Sequence, residues 1–202
     1  MNSRNHRLAT LIALAGFAWC GSSAAGTIQQ TIQFPGVAPE AIYQAYMSSQ
    51  GHAAMTGFPA TFYRPSTHAE VAVGQEGDEL RAFRLTGPDG KPTYFITGTI
   101  LKLVPGKEIV TSWRATAWDQ GPKPGDGTDL ACILVLTLRP MQGGTELQLV
   151  QVNIPDFPDV AASDAASAGV VSETAAVNSH WYFRYWAPMQ KYFAAQAEKK
   201  SP

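Results

Sequence analysis

Apolar and polar residues alternate through most of the middle of the chain. Residues 27–34 put Ile28, Ile32 and Phe34 on one side, with Gln30 among them, and Gln29, Thr31 and Gln33 opposite. That period of two predicts a half-buried strand. Pro35-Gly36 ends it, and Pro39-Glu40 opens a helix, with proline in the first turn and an acid at the positive helix end. Ile42, Ala45 and Tyr46 form the apolar face of that helix, and a second helical piece, residues 50–55, stops at Gly57. Strands are then expected at 60–64, 79–85, 93–104, 108–116, 129–139 and 145–153. Turn-forming clusters separate several of them: Thr86 through Pro92, Pro105-Gly106-Lys107 and Gly143-Gly144. In the strand at 129–139, Leu130, Cys132, Leu134, Leu136 and Leu138 share a face. Four consecutive strands joined by turns imply an antiparallel meander.

Near the end the period lengthens to that of a helix. Seven of the fourteen residues 180–193 are Trp, Tyr or Phe. Val177, Trp181, Tyr185, Pro188 and Tyr192 recur at steps of three or four, with Tyr182, Trp186, Met189 and Phe193 beside them. Arg184, Gln190, Lys191 and Glu198 fall off this face. The pattern predicts a long amphipathic helix over about 172–196, with Ser172 as N-cap and Glu173 at its positive end. Interior proline costs about 3 kcal/mol. Burial of so many rings outweighs that cost, so Pro188 is expected to bend the helix and not to end it. Strand, helix, strands and long helix together give an α+β fold with helices on one face of a curved sheet.

The first residues follow another logic. Arg4 and Arg7 precede an apolar run from Leu8 to Trp19, and Ser23-Ala24-Ala25 follows. This is the layout of a secretory signal peptide over residues 1–25, cleaved after Ala25, leaving a single domain over 26–202. The apolar run is too short to span a bilayer comfortably, so no stable membrane span is expected in the mature protein. Phe17-Ala18-Trp19 ahead of Cys20 is a poor lipidation site. The expected location is the periplasm or the outside of the cell. The mature part holds 13 basic and 16 acidic residues, with no basic run, which argues against nucleic acid as a partner. It keeps one cysteine, Cys132, so no internal disulfide can form and packing alone holds the fold.

Candidate chemistry is sparse. His52, His68 and His180 match no metal-ligand spacing, and no metal or cofactor is expected. His180 belongs at the margin of the aromatic helix face. Cys132, within a leucine-rich strand, reads as a small core residue. Asp119, Asp126 and Asp129 lack the periodicity of a calcium loop and read as a solvated Gly/Pro loop. Nucleophile-elbow, phosphate-loop and dinucleotide motifs are missing, and no catalytic residue is assigned. The oddity lies in the last strand, where counting by two from Leu147 gives Leu149, Gln151 and Asn153 on the core face. Buried amides need partners. Either loop backbone or Tyr185 supplies them, or the amides form the polar floor of a ligand cavity.

Several stretches resemble a known family. They are Pro39-Glu40-Ala41-Ile42-Tyr43, His52-Ala53-Ala54-Met55-Thr56-Gly57, Ile96-Thr97-Gly98 and Gly143-Gly144-Thr145-Glu146-Leu147. The most specific is Leu103-Val104-Pro105-Gly106-Lys107-Glu108-Ile109-Val110-Thr111-Ser112-Trp113-Arg114, and Trp181 through Met189 completes the set. With these the chain resembles the bacterial heat-shock-protein-90 ATPase activator homologues, within the START-like (SRPBCC) superfamily, over nearly all of 27–197. The resemblance implies a helix-grip, as in START and Bet v-like proteins: a curved antiparallel sheet wraps the C-terminal helix, often leaving an apolar cavity. Three departures stand out. The chain carries an export signal, its hairpin around Pro88 and the segment before Trp181 are long, and Gln151 stands where many relatives carry histidine. Outside the cytosol, the chain would meet neither that chaperone nor ATP.

The resulting expectations are a six- or seven-stranded sheet gripping the Trp181 helix, and a cavity bounded by Trp113, Gln151, Asn153, Trp181, Tyr185 and Met189. The first functional expectation is non-catalytic binding of a small apolar or aromatic molecule there. A protein partner, in a chaperone-like or envelope-stress role, is the alternative. A cyclase- or hydrolase-type enzyme ranks third.

Overall fold

The computed structural model of the chain describes residues 26–86, 90, 92–115, 132–154, 178 and 180–199. The chain runs β1 (Gly26–Pro35), α1 (Pro39–Tyr46), α2 (Ser49–Thr56), β2 (Ala60–Arg64), β3 (Ala69–Val71), β4 (Glu79–Thr86) and β5 (Pro92–Val104). It continues through β6 (Glu108–Ser112), β7 (Arg114–Ala115), β8 (Ile133–Met141) and β9 (Gly144–Ile154). A π-helical turn (Trp181–Trp186) then leads into α3 (Ala187–Glu198). The expected N-terminal part of the last helix, with Ser172 and Glu173, lies outside the described residues, as do residues 1–25 and the Gly/Pro loop.

All strands pair antiparallel in one curved, unclosed sheet of order β1-β9-β8-β6-β5-β4-β2-β3, with β7 on β5. The meander is present, and β1 returns to pair with β9. Side chains at one level line up across the strands: Ile28, Gln151, Leu134, Thr111 and Ile100 are consecutive partners. All five are 3% exposed or less. This inner face is the one the helices cover, and the arrangement is the α+β fold the alternation predicted.

The sheet has nine strands among the described residues, two more than the largest number expected. β3 is three exposed or half-buried residues on β2, too short to show alternation. The other addition comes from the expected strand at 108–116, which breaks at Trp113. There Ser112 Oγ accepts the Thr99 N–H at 2.8 Å and the Trp113 N–H donates to the Cys132 carbonyl at 2.8 Å. A Cβ on Gly98 would come within 2.0 Å of the Ser112 carbonyl oxygen, so only glycine allows that close approach. β6 pairs with both β5 and β8, whereas β7 continues only the pairing with β5.

α1 and α2 sit over one part of the inner face. Ile42, Ala45 and Tyr46 of α1 are buried, as their spacing required. The Ser48 side chain caps α2 by accepting from the Gly51 N–H, and Gly57 closes it at φ 76°, in the left-handed region glycine favours.

Candidate functional site

The C-terminal helix reaches the sheet through its π turn. The Ala187 N–H reaches back five residues to the Tyr182 carbonyl, and Pro188 follows in the first turn of α3. Proline lacks an N–H and its ring crowds the carbonyl four residues back, here that of Arg184. A widened turn relieves that crowding, and the backbone stays helical at Trp186 and Ala187. The helix therefore continues past Pro188, as expected, but by a wider turn that periodicity did not foresee. Residues five apart now coincide, so the Trp181 and Trp186 rings stack at 5.2 Å and 14°. The same change of phase corrects the expected apolar face. Trp181, Tyr185, Trp186 and Met189 are buried, whereas Tyr182 and Phe183 are 53% and 69% exposed.

Two polar centres flank this helix. The first joins it to the sheet. The Trp181 Nε1–H donates to Gln151 Oε1 at 2.6 Å, and Gln151 Nε2 donates to Cys132 Sγ at 3.3 Å. The Trp113 and Trp181 rings lie 6.3 Å apart, and the Trp181 and Tyr185 rings 4.6 Å. Trp113, Gln151, Trp181 and Tyr185 thus form one run of contacts, with the buried Met189 a turn beyond Tyr185. Among the described residues the partners of the Gln151 amide are Trp181 and Cys132, and not Tyr185. Burial pushes the Cys132 thiol up to about 11, against the pull of the Gln151 amide, which suits a core residue.

Asn153 departs from the expected register. β9 carries an extra residue opposite Gly26–Ile28 of β1, and Asn153 takes φ 59° there. Such a bulge breaks strict alternation. Asn153 is half-buried, and Ile154 takes the fully buried place. A second helix anchor lies nearby: the Trp186 indole N–H donates to Gln30 Oε1, and Gln30 Nε2 reaches the Asn178 carbonyl and side chain at 2.9 and 2.7 Å.

The second centre was missed by sequence reasoning. His52 of α2 is 0% exposed, and neither ring nitrogen has a hydrogen-bond partner among the described residues. Its ring meets those of Tyr46 and Tyr185 edge-on, each at 5.5 Å. Burial alone lowers its pKa to about 4, so the imidazole is neutral at pH 7. Burial also holds the Tyr46 and Tyr185 hydroxyls well above their ordinary value. Phe83 completes the cluster, 5.4 Å from Tyr185 and 5.0 Å from Phe58. It is a buried phenylalanine at φ 57°, next to the equally buried Ala82. Positive φ at a bulky residue costs on the order of 1–3 kcal/mol and is common where backbone is fixed for function. The available signal was His52 three and four residues before Met55 and Thr56, on the buried side of a short helix. Phe83 gave none, because alternation groups it with Glu79 and Arg81. Thr111 Oγ1, on the inner face of the sheet, is likewise buried without a partner among the described residues.

On the outer side of the helices an open groove of about 760 Å³ runs between α1–α2 and the end of α3. Val37, Ala41 and Gly51 line one side and Tyr192 and Phe193 the other. It contains none of the six residues expected to bound a cavity. Among the described residues no three His, Cys, Asp or Glu side chains gather as a metal site would need, and no helix is long and apolar enough to cross a membrane.

An open antiparallel sheet wrapped on a C-terminal helix, with aromatic rings packed between the two, defines a helix-grip protein of the SRPBCC class. Within that class the chain belongs to the family described as Activator of Hsp90 ATPase homolog 1-like protein, whose sequence profile matches residues 37–173. The match leaves out β1 and the described part of the C-terminal helix. No curated protein matches the chain. Among solved structures, a protein of Cytophaga hutchinsonii is similar at 14% identity, covering 87% of this chain and 98% of its own, with a TM-score of 0.55. A Rhodobacter sphaeroides protein has 21% identity, coverage of 87% and 97%, and a TM-score of 0.53. An HSP90 activator from Plasmodium falciparum has 13% identity, coverage of 84% and 96%, and a TM-score of 0.51. These likenesses show a shared fold.

Proposed function

We propose that the chain binds a small apolar or aromatic molecule between the sheet and the C-terminal helix, without catalysing a reaction on it. One observation carries this reading: buried polar atoms on both walls, Thr111 Oγ1 of the sheet and the His52 nitrogens of the helices, have no hydrogen-bond partner among the described residues. Folded proteins rarely leave such atoms bare. The surroundings of His52, rings with a few polar groups, are of the kind that holds small ligands. Burial keeps the Tyr46 and Tyr185 hydroxyls protonated, so they can donate hydrogen bonds. Native mass spectrometry of the purified protein tests the reading. A co-purified small molecule is expected, or an apolar probe that shifts the tryptophan emission of Trp113 and Trp181. A protein that carries no molecule and whose emission no probe moves would contradict it.

The binding takes place outside the cytosol. This rests on Arg4, Arg7, the apolar run to Trp19 and the small residues to Ala25. The mass of exported protein should correspond to a start near Gly26. Residues 1–25 still attached to soluble cytosolic protein would count against export.

A second reading, a protein partner, is favoured by the exposed pair Tyr182 and Phe183, whose rings meet at 5.3 Å. Replacing both by serine should then abolish cross-linking to an envelope protein and leave small-molecule retention intact.

A further inference from the structure

His52 is unlike the other polar groups around the C-terminal helix. Gln151 and Gln30 each accept a tryptophan N–H and donate onward. The His52 backbone is equally well fixed: its N–H donates to the Ser48 carbonyl at 2.8 Å, and its carbonyl accepts the Thr56 hydroxyl at 2.8 Å. Only the ring has unmet hydrogen-bonding capacity. Two tyrosine rings fix its orientation, and the strained Phe83 presses on one of them.

Its surroundings also set what a ligand can carry. A neutral imidazole offers one donor and one acceptor. A hydroxyl can meet either nitrogen, and a carbonyl can accept from the N–H. A carboxylate would need a cation, because a buried unpaired charge is far costlier than a buried neutral dipole. Burial is what lowers the His52 pKa, with no charged side chain among the described residues contributing. Arg184 lies over the Phe58 ring at 5.2 Å, on the exposed side of the helix.

We propose that the His52 ring is the polar recognition group of this site, selecting an uncharged apolar molecule that bears a hydroxyl or carbonyl and rejecting its carboxylate counterpart. The proposal rests on the ligand-binding reading above and specifies its chemistry. Three probes with one ring body test it at pH 7: 2-naphthol, naphthalene and 2-naphthoate, titrated against the purified chain by tryptophan fluorescence. Naphthol should bind roughly tenfold or more tighter than either of the others, the ratio expected of one well-made hydrogen bond. In His52→Phe the advantage over naphthalene should vanish while naphthalene still binds. His52→Gln keeps a donor and an acceptor and should retain part of the preference, which also covers the case in which the phenylalanine variant fails to fold. Equal binding of naphthol and naphthalene to the unaltered chain would overturn the proposal, leaving the ring a buried water only. So would naphthoate binding as tightly as naphthol, or a preference that survives in His52→Phe. Those results leave the ligand-binding reading standing. Failure of all three probes to bind would overturn both.

Discussion

Gln151 and His52 are both fully buried and both lie against the same helix, yet they are used in opposite ways. The Gln151 amide accepts from the Trp181 indole and donates to the Cys132 thiol, tying helix to sheet. The His52 ring meets the Tyr46 and Tyr185 rings, and neither nitrogen has a partner among the described residues. A buried polar group with protein partners is part of the scaffold. One without them either costs stability for nothing or awaits something that the chain does not supply. The difference teaches that burial of a polar residue is not in itself a sign of function: what separates these two residues is the state of their hydrogen bonds.

The largest effect should come from the scaffold side. Trp181→Ala removes a ring packed on Trp113, Tyr185 and Trp186 together with the tie to Gln151. It should cost about 3–5 kcal/mol in urea unfolding. A loss below about 1 kcal/mol would show that the helix does not hold the sheet.

Acid sharpens the contrast next. The folded-state pKa of His52, about 4, lies below its ordinary 6.5, because burial disfavours the imidazolium. The unfolded chain therefore binds the proton first. The stability at stake is complete above pH 6.5 and is lost as the pH falls toward 4, about 3 kcal/mol in all. Unfolding followed across that window should show the decline, and His52→Phe should remove this part of it. An unchanged slope in the variant would mean that the ring is already solvated.

Gln151→Leu should have a smaller effect of the same sign. It keeps the approximate size but leaves the Trp181 N–H buried and unpaired, at about 1–3 kcal/mol. A variant as stable as the original would place Gln151 outside the scaffold and restore the amide as a candidate ligand group.

Much of this was legible in the sequence. Alternation located the long strands, because each has one face on the core, and ring spacing located Trp181, Tyr185 and Met189. The π turn was not legible. It depends on how Pro188 and the carbonyl of Arg184 share space, and it leaves Tyr182, expected beside the apolar face, at the surface. Asn153 was displaced by a single extra residue whose position only the pairing of β1 with β9 reveals. Trp113 fell outside a strand because a serine side chain replaced a ladder bond. His52 could be placed on the buried side of its helix, but its lack of partners is a property of four separate elements brought together.

The central claim is that the His52 ring, and not the Gln151 amide, is the group that meets a ligand. Native mass spectra of three proteins purified in the same way test it most directly: the unaltered chain, Gln151→Leu and His52→Phe. The expected result is a small molecule on the first two and its loss from the third. Retention by His52→Phe with loss from Gln151→Leu would contradict the account.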